Sequence, residues 1–217
     1  MAPSGIFIPL LVLFTQISNI NGIESTIRGE SLLIENNEVY ISLSEPINQL
    51  MFISSDSTLI YYPDDNRAFI LKKTKSDAVM DEFLQLEPLS PNYYSQLGFQ
   101  KIVEKTIKDT LLYQFLSNNK KTPTLITQKV VNAKTVQIII ATNIAASNYT
   151  KIDFNEYSVF NGMDYIKKYT VTTYDSNVPI NTTEYLIENL REAEETDFER
   201  LKFTIPTNVD IERKSFN

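Results

Sequence analysis

The side chains here that can do chemistry are carboxylates, lysines and tyrosines, because the chain contains no histidine and no cysteine. That removes the Ser-His-Asp and Cys-His nucleophile systems, together with the His/Cys ligand sets used by zinc, copper, haem and iron–sulfur centres. Only 5 of 217 residues are glycine, and they form no phosphate-cradling loop of the Walker or dinucleotide type. Acidic residues are plentiful, yet no motif pairs two of them for carboxylate-based hydrolysis. The Glu192–Glu195 run reads as a solvated loop. A net charge of −7 without any Lys/Arg run argues against phosphate-backbone binding, so nucleic acid is not an expected partner. Catalysis is made less favourable by this inventory, though not excluded, and no metal or cofactor is called for.

The elements that position these residues are mainly strands. The length suits one β-rich domain, or one with a helical insert. A hydrophobic fraction of 42%, with 12 Tyr, 12 Phe and no Trp, suits half-buried sheets. The chain opens on an apolar run, Ile6-Phe7-Ile8-Pro9-Leu10-Leu11-Val12-Leu13-Phe14, and no charged side chain precedes Glu24. The run is too short to span a bilayer but fits the core of a secretory signal. Residues 1–22 are therefore read as a signal peptide cleaved after Gly22, leaving 23–217 as one domain. A buried first strand or helix is the competing reading.

Three zones follow. Residues 25–73 read as a meander: Thr26–Ile34, Val39–Leu43, Leu50–Ile53, Thr58–Tyr62 and Ala68–Lys72, separated by turn-type clusters. Residues 76–118 read as a helical segment. Ser76 or Asp77 would cap a first helix ending at Pro88. Phe99, Val103, Ile107, Leu111 and Phe115 recur every four positions, which predicts an amphipathic helix over about 93–117. Residues 122–217 return to strands: Leu125–Val131, Thr135–Ala141, Lys151–Phe154, Tyr165–Tyr174, Glu184–Ile187 and Arg200–Ile205, with Asn161-Gly162 as a tight turn. The expected class is mainly β with helices (α+β).

The meander carries a resemblance. From Gly29 through Pro46 to Pro63, with the polar Ser54–Asp56 turn and Tyr61 before the closing proline, it resembles the periplasmic outer-membrane lipoprotein carriers, the LolA-like family. Leu201-Lys202-Phe203-Thr204-Ile205-Pro206 followed by Val209-Asp210-Ile211 resembles the family's terminal strand and tail, and Phe14-Thr15-Gln16 echoes its first strand. The resemblance implies an incomplete antiparallel β-barrel with helices covering the opening of an apolar cavity. It implies a soluble periplasmic carrier, not an enzyme, that binds acyl chains of lipoproteins or a related lipid and passes them from an inner-membrane exporter to an outer-membrane acceptor. A monomer is expected.

By the same resemblance, Leu33, Val39, Ile41, Leu43, Phe52 and Tyr61 line the cavity, and Phe99, Val103 and Ile107 belong to the lid. Alternation places Val39, Ile41 and Leu43 on one side of their strand, where they serve as cavity wall or as ordinary core. Glu35 stands where the family carries a lid-holding arginine, and Asn36 where it carries proline. Glu35 is thus a latch of altered chemistry or a solvated turn residue. Three rivals remain open: a lipid-sensing module on the same fold, a secreted carboxylate hydrolase and a structural surface protein.

Overall fold

The computed structural model describes residues 8–34, 38–72, 86, 90–118, 123–142 and 147–215. The strands are β1 (Leu10–Ile20), β2 (Ile23–Ile34), β3 (Glu38–Glu45), β4 (Gln49–Ile53), β5 (Ser57–Tyr62), β6 (Arg67–Lys72), β7 (Phe99–Ile107), β8 (Thr110–Ser117), β9 (Thr124–Val131), β10 (Lys134–Thr142), β11 (Tyr149–Phe160), β12 (Met163–Asp175), β13 (Val178–Glu192) and β14 (Asp210–Ser215). Among the described residues two short helices join them, α1 (Pro91–Gln96) and α2 (Glu195–Leu201). Hydrogen bonds order the strands β14-β6-β5-β4-β3-β2-β1-β13-β12-β11-β10-β9-β8-β7 in one sheet. Consecutive strands pair antiparallel throughout the registered hairpins, whereas β14 returns to lie parallel to β6. The chain is thus mainly β, as its composition predicts.

Two compact units divide the residues: Met1–Gln16, Thr26–Phe83 and Ile187–Asn217 form the first, and Ile17–Ser25 and Leu84–Leu186 the second. The first unit holds the meander β2–β6 with β14 and α2. Its strands follow the sequence pattern closely, since alternating apolar residues and turn clusters mark them.

The second unit is a run of hairpins, β7 to β12, closed by tight turns. Asn161 and Gly162 have φ of 49° and 81°, and Asn132 and Ala133 have φ of 49° and 63°. Positive φ at both central positions is the turn whose twist matches paired strands, and Asn-Gly adopts it at least steric cost. Its core is Tyr94, Phe115, Ile126, Ile138, Phe154, Ile166 and Tyr169. The polar side of the same strands is stitched by ion pairs such as Lys151–Asp153 and Lys168–Glu184.

Several expectations are corrected. The helix over 93–117 does not form. Phe99–Ile107 and Thr110–Ser117 are strands, paired from Phe99↔Ser117 to Ile107↔Thr110. A four-residue repeat returns to the same side of a helix and of a strand alike, so the spacing could not tell them apart. Lys108, at φ 56°, supplies the reversal between the two strands. Among the described residues of this segment the helical turn is α1, whose Tyr94 is buried against Phe115 at 4.7 Å between ring centroids. Arg200–Ile205 is not a strand either: Leu201 ends α2, and the terminal strand begins at Asp210. Glu192–Glu195 joins β13 to α2 with its three glutamates exposed, in keeping with the solvated reading. The first expected helix, at 77–86, falls almost wholly outside the described residues.

Part of the expected leader is strand. Leu10–Ile20 lies between β2 and β13 in the sheet order, with Leu11, Val12 and Phe14 buried.

Candidate functional site

The registers of β2 to β5 sort the first unit's residues onto two faces. Leu33 opposes Val39, Ser31 opposes Ile41, and Gly29 opposes Leu43. Across the next pair, Val39 opposes Ile53 and Ile41 opposes Met51. Directly opposed residues share a face, so Leu33, Val39, Ile41 and Leu43 stand together, as alternation predicts. Phe14 joins them from β1: a Cβ on Gly29 would lie 2.9 Å from Phe14 Cζ and 2.8 Å from Leu43 Cδ2. Ile41, Met51, Ile53 and Phe14 are buried, while Leu33, Val39 and Leu43 are half-buried. The face is mostly apolar; Thr58, opposite Ile53, and Ser31 bring buried hydroxyls to it, and Ser31 is the more deeply buried at 0% exposure.

Phe52 and Tyr61, nominated for the same wall, lie on the opposite face. Phe52 opposes Tyr40 and Tyr61 opposes Leu50, each one step out of phase with Ile41 and Met51. That face is a protein core. Leu32, at 0% exposure, packs with Leu11 and Leu201, and Ile34, Tyr40, Ala193 and Phe198 close round them. The segment after α2 completes it. The Phe203 ring stacks on Tyr61 at 6.3 Å and meets Tyr40 edge-on at 6.1 Å, while Tyr40 stacks on Phe52 at 4.6 Å. Its aromatic contacts are of the kind that add about 0.5–1.5 kcal/mol each beyond area burial.

A charged network holds α2 in place. Arg191 on β13 donates from Nη1 and Nη2 to both Asp197 carboxylate oxygens, at 2.7 and 2.8 Å. The Glu194 backbone N–H donates to Asp197 Oδ2 at 2.8 Å, tying the carboxylate into the helix start. Arg200 donates to Asp197 Oδ1 at 3.2 Å and also pairs with Glu30 on β2. The Asp197 side chain is 4% exposed. Hydrogen bonds from Arg191, outweighing desolvation, hold its carboxyl below the usual carboxylate range. Asp197 is therefore an anion fixed in a structural role and unsuited to donating a proton.

The second unit's apolar side is aromatic. Tyr169 and Tyr185 stack at 4.6 Å and 8°. Burial raises the hydroxyl pKa of both, and burial with the Asp164 charge pushes Tyr157 up to about 12. These phenols stay protonated at neutral pH and act as donors and ring surfaces, not as bases. Tyr157 Oη donates to the Thr135 carbonyl at 2.5 Å, and Gln128 Nε2 donates to Thr135 Oγ1 at 2.8 Å. Asp153, Glu156, Asp164 and Glu184 each pair with a lysine.

The three lid residues are separated. Phe99 packs beside the second unit's core, 6.4 Å from Tyr94. A bulge between Lys101 and Val103 then shifts the register, so Val103 and Ile107 follow the opposite side, and Ile107 is 52% exposed. Glu35 lies outside the described residues. No helix among the described residues is long and apolar enough to cross a membrane.

No protein-family profile and no curated protein matches the sequence. Solved structures do. A LolA superfamily protein from Nitrosomonas europaea superposes with a TM-score of 0.59 at 8% identity, covering 90% of each chain. A domain named for outer membrane lipoprotein sorting, from Vibrio parahaemolyticus, superposes at 0.55 with 15% identity, over 88% of this chain and 89% of the other. A DUF1329 family protein from Desulfovibrio piger superposes at 0.59 with 12% identity, over 89% and 91%. The chain has a LolA-like fold, in agreement with the resemblance carried by its meander.

Proposed function

We propose that this chain is a non-enzymatic carrier that shelters the acyl chains of lipoproteins, or of a related lipid, against the Leu33–Val39–Ile41–Leu43 face. The observation that carries the reading is the division of the meander. One face is packed under α2 and Phe203, and the other is a second apolar surface on the same strands. A LolA-like fold, shared with a domain named for lipoprotein sorting, supplies the class of ligand.

The task needs burial and release but no reacting group. Each CH₂ withdrawn from water favours the bound state by about 0.8 kcal/mol, so an acylated protein needs a dry compartment wherever it crosses an aqueous space. Carboxylates engaged with cations and tyrosines held protonated suit such a role. In this reading the protein works as a monomer in the periplasm, taking cargo from an inner-membrane exporter and yielding it to an outer-membrane acceptor, with the sheet curved into the incomplete barrel that the resemblance implies.

Native mass spectrometry of the purified protein is the test, followed by transfer of a lipoprotein out of inner-membrane vesicles. Bound acyl species and release of the lipoprotein are expected. A protein that neither carries lipid nor releases cargo would sink the reading.

A further inference from the structure

The apolar face holds one polar group that the proposed carrier role leaves unexplained. Ser31 is 0% exposed, and its Oγ has no hydrogen-bond partner among the described residues. Its neighbours on that face within β2 and β3 are Gly29 and Leu33 along β2, and Ile41 directly opposite on β3. None of these side chains offers an acceptor. Elsewhere in the fold, buried hydroxyls are engaged: Ser18 with Thr183 at 3.2 Å, and Thr135 with Gln128 at 2.8 Å. Buried polar groups are normally satisfied, and an orphan in a native interior calls for a partner or a purpose. In surroundings of low polarity a hydrogen bond gains strength, so an acceptor delivered to this spot is bound selectively.

We infer that the Ser31 hydroxyl is a polar anchor, donating to the carbonyl oxygen of an ester- or amide-linked acyl group whose chain lies along Leu33, Val39 and Ile41. The inference rests on the carrier reading and sharpens it. The site would then distinguish acyl from alkyl chains, a choice that apolar contact alone cannot make. A carbonyl is the acceptor that an acyl lipid carries next to its chain, so burying the chain brings the acceptor in with it.

The test uses the full chain with two lysophospholipids that differ only in the chain linkage, 1-palmitoyl-lysophosphatidylcholine and its 1-O-hexadecyl ether. Dissociation constants are measured for the parent protein and for Ser31→Ala, which changes volume little and should fold. The parent protein should prefer the ester by about fivefold, the discrimination expected of one net neutral hydrogen bond. Ser31→Ala should bring the ratio to about one, leave the ether's affinity unchanged and raise the melting temperature of the lipid-free protein, since an unsatisfied hydroxyl has gone. Equal affinities in the parent protein, or a preference that survives Ser31→Ala, would overturn the anchor while leaving the carrier intact. Failure of the parent protein to bind either lipid would overturn the carrier reading, and the anchor with it.

Discussion

Arg191 and Asp197 form a two-pronged ion pair, with donor–acceptor distances of 2.7 and 2.8 Å, that fastens α2 to the end of β13. Through it the chain's C-terminal segment is held over Tyr40, Phe52 and Tyr61, and one side of the meander becomes protein core. The opposite side of the same strands carries Leu33, Val39, Ile41 and Leu43, the side to which the proposed carrier role assigns the lipid.

Asp197→Ala should be among the most damaging substitutions in the first unit. The substitution removes charge-assisted hydrogen bonds from Arg191 and the carboxylate that caps α2, a loss of about 1–3 kcal/mol, since the arginines left behind are partly solvated. Urea denaturation would show the loss as a lowered midpoint. The pH dependence has a definite sign. Asp197's folded pKa is depressed, so its contribution is complete above the unfolded carboxylate value, about 3.9, and disappears as pH falls through the lower folded value. The gap between the parent protein and Asp197→Asn should therefore close on acidification. A gap that widened would contradict the assignment.

Gly29→Ala should destabilise for want of space. A Cβ there would lie 2.7 Å from the Ser42 carbonyl oxygen, which is backbone and cannot swing away. Overpacking of this kind costs about 1–3 kcal/mol. Equal stability of the variant, measured by denaturant titration, would show that β2 and β3 approach less closely than described.

Ala133→Gly should do the reverse. Ala133 occupies a left-handed conformation, φ 63°, in the β9–β10 turn. Relief of that strain, about 1–2 kcal/mol, exceeds the added freedom of the unfolded chain, about 0.4–1 kcal/mol, so a net gain of roughly 0.5 kcal/mol is expected. A fall in melting temperature would count against this turn geometry.

The start of the chain offers a fourth test. Leu11, Val12 and Phe14 are buried in β1, which stands between β2 and β13. We propose that this segment is retained. N-terminal sequencing of the mature protein should find Leu10 and its successors present, and a chain beginning at Ile23 should fail to fold. A stable, folded protein beginning at Ile23 would restore the cleaved-leader reading.

The meander was legible because its apolar residues alternate between turn clusters, and the same alternation put Val39, Ile41 and Leu43 on one side. Phe52 and Tyr61 were grouped with Ile41 but stand on the other face, because their side depends on the β3–β4 and β4–β5 registers, which a single strand's pattern does not contain. Phe99 to Phe115 misled because four-residue spacing satisfies both periodicities. Leu201–Ile205 alternates like a strand, but Asp197's capping and the docking of Phe198 and Leu201 draw its start into a helix. Ser31 went unremarked. Its parity with Leu33 was visible in sequence, whereas its lack of a partner needed coordinates.

The most direct measurement of where a lipid lies is photo-crosslinking with an acyl chain carrying a diazirine, mapped to single residues by peptide mass spectrometry. The proposed carrier predicts labelling at Leu33, Val39, Ile41 and Leu43. Labelling confined to Tyr61 and Phe203, or none above that of a denatured control, would contradict it.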